Sequence, residues 1–160
     1  MKICGIDPGI HGRCAIIEIN SGAVPKVVDS IDVRTIGTGA KERVDVLALR
    51  TWIQAHRPDH AAVERGQSMP RQGASSGYKF GRSIGSIEGT IACCEIPLVI
   101  VEPAVWKRPF HSHGKDKEGA RQLALQQFPS AHALLTCKKD HQRAEAMLIA
   151  LFAANNRGAP

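Results

Sequence analysis

Three β-rich stretches open the chain, Lys2 to Ile6, Cys14 to Ile19 and Val27 to Val33, separated by the turns Asp7-Pro8-Gly9 and Ser21-Gly22. This pattern predicts an antiparallel meander. The period then changes: from Lys41 to His56 the apolar residues Val44, Leu47, Ala48, Trp52 and Ile53 recur at helical spacing, and Pro58 supplies a stop. Ala61 to Val63 reads as a short strand that ends abruptly in Glu64-Arg65-Gly66. The polar, Gly-rich stretch that follows, to Gly77, is too long for a simple turn and reads as a mobile functional loop. A second helix is predicted from about Ser76 to Cys94, although Gly81, Gly85 and Gly89 line one of its faces. Helix-interior glycine costs ~1 kcal/mol relative to alanine, so the stripe points to close backbone approach by a partner helix or by DNA. The strand Leu98 to Val101 runs into Glu102-Pro103, and a basic segment spans Trp106 to Lys117. Further helices are predicted over Lys117 to Phe128 and from about His141 to Asn155. The order βββαβαβαα describes a mixed α/β domain, with no internal repeat and no linker to mark a boundary.

Composition narrows the class. The 160 residues are 43% hydrophobic, 22% charged and 4% aromatic, the profile of one soluble domain rather than of collagen, coiled coil or disorder. A chain of this length buries roughly 70% of its unfolded surface, so no metal or disulfide staple is needed for stability. No apolar run approaches the ~18 residues of a membrane span, and Met1-Lys2-Ile3-Cys4-Gly5 lacks a signal peptide's apolar core, so a cytoplasmic protein is expected. Cys4, Cys14, Cys93, Cys94 and Cys137, odd in number, form no C-x-x-C pair and read as buried thiols in a reducing compartment. The net charge of +6 favours a polyanionic partner, nucleic acid first.

The candidate chemistry is acidic. Gly5-Ile6-Asp7-Pro8-Gly9 places a carboxylate directly after a buried strand, where the chain must turn, and Glu64 ends the strand Ala61 to Val63 in the same way. Ligand sites in open α/β sheets gather at the carboxyl ends of strands. A third acid, Glu145, lies against an apolar helix face formed by Ala144, Met147, Leu148 and Leu151, where an ionised group is expensive unless a cation or donor meets it. The alternative for Asp7 is a purely structural turn, and for Glu145 an outward pairing with Arg143 or a neighbouring loop.

These residues resemble the RuvC-like Holliday-junction resolvases of the RNase H-like superfamily, especially the short phage and prophage variants. The matching pieces are Gly5-Ile6-Asp7-Pro8-Gly9, Val63-Glu64, Glu102-Pro103 through Trp106-Lys107, and Arg143-Ala144-Glu145-Ala146, in the family's order and across nearly the whole chain. The resemblance implies one RNase H-like nuclease domain over residues 1–160, built on a five-stranded mixed sheet, an antiparallel meander plus parallel strands, flanked by helices. It implies a homodimer that makes paired nicks in a four-way DNA junction, with two Mg²⁺ per site and Mn²⁺ as a substitute. Two such metals, about 3.5 to 4 Å apart, generate hydroxide near neutral pH and stabilise both attacking and leaving oxygens. Like charges at that spacing repel by about 4 kcal/mol per pair at an effective dielectric of 20, so clustered carboxylates need divalent cations.

By the resemblance Asp7 bridges both metals, Glu64 holds one and Glu145 the other. The fourth ligand departs from the pattern: the family carries Asp or His three residues before the final helical carboxylate, and here that position is Gln142. Asp140, as a helix N-cap, is the expected fourth carboxylate, with His141 a candidate proton carrier. Lys107 and Lys117 match the family's DNA-contacting lysines; Arg108, Lys115, Lys138 and Lys139 extend the basic patch. Met69, with Tyr78 and Phe80, is a candidate for insertion at the junction centre. His111 and His113 read as a surface loop rather than a metal pair. Three other functions stay open. One is an RNase H-like nuclease acting on flaps, forks or RNA·DNA hybrids, and another is a non-catalytic junction-binding protein. The third, an actin-type ATP-binding domain, needs over twice this length.

Overall fold

The computed structural model describes residues 1–67, 73–110 and 117–156, with only the backbone of Lys117. Three strands form the meander, β1 (Lys2–Asp7), β2 (Arg13–Glu18) and β3 (Lys26–Asp32). The next segment departs from the sequence reading. Thr35–Ile36 (β4) and Arg43–Val44 (β5) pair as a small hairpin, and the helix α1 (Val46–His56) begins only after them. Asp45 sets that start, because its carboxylate accepts the Ala48 backbone N–H at 3.0 Å. The strand β6 (His60–Glu64) follows, then α2 (Ala74–Cys93), β7 (Leu98–Val101), the short α3 (Pro103–Trp106), α4 (Lys117–Gln127) and α5 (His141–Asn155). Helix α2 opens two residues before Ser76 and takes in Ser75, Ser76 and Gly77, which the polar composition had assigned to a loop. The remainder of that expected loop, residues 68–72, lies outside the described residues.

The main sheet has the order β3-β2-β1-β6-β7, so the expected five-stranded mixed sheet is present. β1 pairs antiparallel with β2 and parallel with β6, and β6 pairs parallel with β7. Alternation along the strands divides the core. Cys4, Ile6, Cys14, Ile16 and Val63 face one way and pack with Leu49, Ile53, Ile87 and Ile91 of α1 and α2. Ile3, Ala15, Ile17 and Ala62 face the other way and pack with Trp106, Phe128, Leu135, Met147 and Leu148. Helix α5 is buried at Ala144 and at every residue from Ala146 to Leu151, which makes it a central core helix rather than an amphipathic cover.

The closest approach in this layer is at Gly5. A Cβ built there would lie 2.0 Å from the Ala146 carbonyl oxygen and 2.6 Å from the Ala150 nitrogen, so the α5 backbone rests directly on β1. Only glycine permits that contact. It falls two residues before Asp7 on the same strand face and one residue after Glu145 on the helix.

Candidate active site

Asp7 is the last residue of β1 and Glu64 the last of β6. The parallel register Ile6↔Val63 sets the two carboxylates side by side at the carboxyl end of the sheet. The side-chain period of two points Asp7 toward α5, on the face of Gly5, and Glu64 likewise on the face of Ala62. Glu145 comes in from the second turn of α5, held there by the Gly5 contact.

Lys107, just past α3, closes the cluster: its Nζ lies 3.3 Å from Glu145 Oε1 and 3.7 Å from Glu64 Oε2. The same ammonium sits 4.9 Å from the centre of the Trp106 ring. Trp106 is buried, and its indole Nε1 donates to Glu64 Oε2 at 2.6 Å. The electrostatics follow from this crowding. Burial first, then the charges of Glu145 and Glu64, push the Asp7 carboxyl up to about 7, against the opposing pull of Lys107 and Arg13. Burial also raises Glu64, opposed by Lys107 and by the Trp106 hydrogen bond. At Lys107 burial works to lower the pKa, but Glu145 and Glu64 together outweigh it and the ammonium is held more firmly than usual. No three His, Cys, Asp or Glu side chains among the described residues are already closed around a metal position. With Lys107 between Glu64 and Glu145, the acids meet through an organic cation instead.

Asp140, expected as the fourth carboxylate, has other partners. It stands at the N-cap of α5 but makes no side-chain cap to that helix. Its Oδ2 accepts the Cys137 backbone N–H at 2.9 Å and the Thr136 hydroxyl at 3.4 Å, and its Oδ1 lies 3.7 Å from Arg143 Nη1. Burial acts to raise Asp140, but the donors from Cys137, Arg143 and Thr136 prevail and lower it, which marks a satisfied turn carboxylate. The structure thus places Asp140 in the preceding turn, where two donors already meet it, while Asp7, Glu64 and Glu145 gather around Lys107. His141 Nδ1 is within hydrogen-bonding distance of the Lys138 carbonyl at 3.0 Å.

Met69 and the side chain of Lys117 lie outside the described residues, as do Lys115, His111 and His113. Tyr78 is exposed on α2, whereas Phe80 is half-buried, its ring near the positions a Cβ on Gly9 or Gly66 would take. At the β7 end Glu102 pairs with Arg65 and accepts from Gln67 at 3.3 Å, forming an outer rim beside Glu64. Two features escaped the sequence reading. Trp106 was legible as part of a matching motif and as the start of a basic segment, but not as a hydrogen-bond donor to Glu64, and the ion cluster of Arg13, Asp32 and Arg143 beside Asp7 had no local signal.

No family model matches the chain. Relatives do. A crossover junction endodeoxyribonuclease RuvC from Mycolicibacterium vanbaalenii is 30% identical over 142 residues, which is 81% of this chain and 71% of that protein. Another RuvC, from Mycobacterium sp., is 37% identical over 71 residues, covering 41% of this chain and only 37% of its relative. Among solved structures, Thermus thermophilus RuvC in complex with a Holliday junction superposes with a TM-score of 0.76 at 24% identity, over 96% of this chain and 93% of that one. The Fowlpox virus resolvase reaches 0.55 at 15% identity, over 93% and 95%. These superpositions establish the RuvC-type, RNase H-like fold.

Proposed function

The chain belongs to the family of RuvC crossover junction endodeoxyribonucleases, and on that premise we propose that it hydrolyses phosphodiester bonds in four-way DNA junctions. It acts as one nuclease domain over residues 1–160 in the cytoplasm. The observation that carries the reading is the meeting of Asp7, Glu64 and Glu145, 138 residues apart in sequence at the extremes, around the single ammonium of Lys107.

The donor set fits Mg²⁺. Three carboxylates supply the hard oxygens that ion prefers, and an Asp7 that holds a proton up to about pH 7 belongs to a cluster short of positive charge. Asp7, Glu64 and Glu145 would hold two Mg²⁺, with Mn²⁺ as a substitute; Asp140, engaged by its own turn, is left out of the set. A bound divalent cation supplies Lewis acidity, acidifying water and neutralising charge on the phosphoryl oxygens. The chain does the rest. Asp7, flanked by the other two acids, would be among the ligands, and Trp106 fixes one oxygen of Glu64. Lys107 stays protonated and transfers its charge from the acids to an arriving phosphate, which makes it both a DNA contact and a counter-ion.

Paired incision calls for a homodimer, and α2 supports one. Cβ atoms built at Gly77, Gly81, Gly85 and Gly89 meet nothing within 4 Å, so this face lies open while Ser83, Ile87, Thr90 and Ile91 on the opposite face are buried. A two-fold pair packed there presents two sites to a near-symmetric junction. The test uses four-way junction, flap and RNA·DNA hybrid substrates, with Mg²⁺ or EDTA, for wild type and Asp7→Asn. Wild type is expected to nick the junction symmetrically with Mg²⁺ and leave linear duplex uncut, and the variant to bind it without cutting. Equal cutting by the variant overturns the mechanism. Cleavage of flaps alone transfers the protein to another nuclease class, and binding without cutting by wild type makes it a junction-binding protein.

A further inference from the structure

A second cluster lies beside the acids, on the far side of Asp7 from Lys107. Cross-strand register sets Arg13 of β2 opposite Asp7 and Asp32 of β3 opposite Arg13. Glu64, Asp7, Arg13 and Asp32 thus form one row along the carboxyl edge of β6 and β1 and across to β2 and β3. Neighbouring strands are about 4.8 Å apart. Arg143 of α5, two residues before Glu145, reaches into the end of this row. Asp32 Oδ1 accepts from both guanidiniums, Arg13 Nε at 2.8 Å and Arg143 Nη2 at 2.7 Å.

Two positive charges therefore converge on one carboxylate oxygen. The arginines are largely covered, their side chains 20% and 21% exposed, whereas Asp32 is 57% exposed and open to solvent. Arg13 also donates through Nη1 to the carbonyls of His11 and Gly12, and Arg143 through Nη1 to the Leu134 carbonyl. The Arg143 Nε is buried with no acceptor among the described residues. Planar, half-desolvated guanidiniums that share a single exposed anion form the donor pattern that recognises phosphate.

We infer that Arg13 and Arg143 form a seat for the DNA backbone phosphate next to the one that is cut, and that Asp32 is the internal anion filling this seat until DNA arrives. The inference rests on the nucleic-acid reading above and deepens it. A strand whose scissile phosphate lies at Asp7 carries further phosphates at intervals of about 3.4 Å along the helix axis, and the row of side chains leads from Asp7 directly to the two arginines. The seat positions the strand and reads no base. A purely structural cluster predicts a different response to loss of Asp32: a looser fold and DNA binding no tighter than that of a charge-matched control.

The sign of that response is the test. Binding of a fluorescent four-way junction and of duplex DNA is measured in EDTA over a salt series for wild type, Asp32→Asn, Arg13→Gln and the charge control Glu18→Gln. Glu18 lies at the other end of β2. Asp32→Asn is expected to bind about threefold tighter than Glu18→Gln at 0.1 M salt, with a log–log salt slope steeper by about 0.9, one phosphate contact. Arg13→Gln should flatten the slope by the same amount. Asp32→Asn indistinguishable from Glu18→Gln in affinity and slope overturns the inference, and does so even if Arg13→Gln fails to fold. Wild type that binds neither DNA defeats the functional reading, and the inference with it.

Discussion

The Gly5→Ala substitution adds one methyl group at the point where α5 touches β1. The new Cβ would sit 2.0 Å from the Ala146 carbonyl oxygen, so the helix must retreat by about 1 Å to reach even the 3.0 Å floor of real contacts. Overpacking of this kind costs about 1–3 kcal/mol, against about 0.4–1 kcal/mol returned by the stiffer unfolded chain. The net loss, about 1–2 kcal/mol, lowers the midpoint of thermal unfolding by about 2–8 °C for a chain of this size. The functional effect is larger, because the displaced segment is the one that carries Glu145 to Asp7. A misplacement of about 1 Å can cost about 100-fold in rate. Single-turnover cleavage of a four-way junction, alongside calorimetry and junction binding in EDTA, separates the two effects: cleavage falls about 100-fold while binding changes little. An alanine variant with the wild-type midpoint and a cleavage rate within about threefold of wild type would refute the claim that glycine at this contact sets the geometry of the acids.

Asp140→Asn removes a carboxylate that serves the Cys137–Asp140 turn, so junction cleavage should fall by less than about threefold, with a stability loss near 1 kcal/mol; a loss as deep as that of Asp7→Asn would return Asp140 to the metal site. The raised Asp7 has a pH signature. Between its ordinary 3.8 and about 7 the folded state binds the extra proton, so stability of the metal-free protein falls as pH rises through that window and levels off above it. A shift of that size corresponds to about 4 kcal/mol as an upper bound. Urea unfolding in EDTA at pH 5 and pH 8 should show Asp7→Asn gaining stability over wild type at pH 8 and losing most of the pH slope, and equal slopes in both proteins would contradict the burial of an acid at this position.

The sheet and two of its site acids were readable because each depends on local pattern. Asp7 and Glu64 terminate apolar strands, and a strand end next to a turn is visible in a few residues. Glu145 was visible as an acid against an apolar face. The surroundings of Asp140 were not legible because they depend on competition: the backbone donor of Cys137, three residues earlier, reaches the carboxylate, and no periodicity reports which donor wins. The late start of α1 has a similar origin, since the β4–β5 hairpin takes Lys41 to Val44 out of a helix whose apolar spacing Val44 shares. Arg143 and Asp32, 111 residues apart, meet only through tertiary packing. Trp106 acts on Glu64 across 42 residues and carried no local mark of that role.

The position of α5 at the centre of the core has a consequence for biogenesis. The element that brings Glu145 to the other two acids follows every strand of the sheet in sequence, and it docks on the first of them. While the ribosome is still translating residues before His141, the nascent chain holds two of the three clustered carboxylates and lacks the helix that completes its hydrophobic interior. The three-acid cluster and the closed core therefore form in one step, when translation delivers that helix, and a chain terminated before it lacks both.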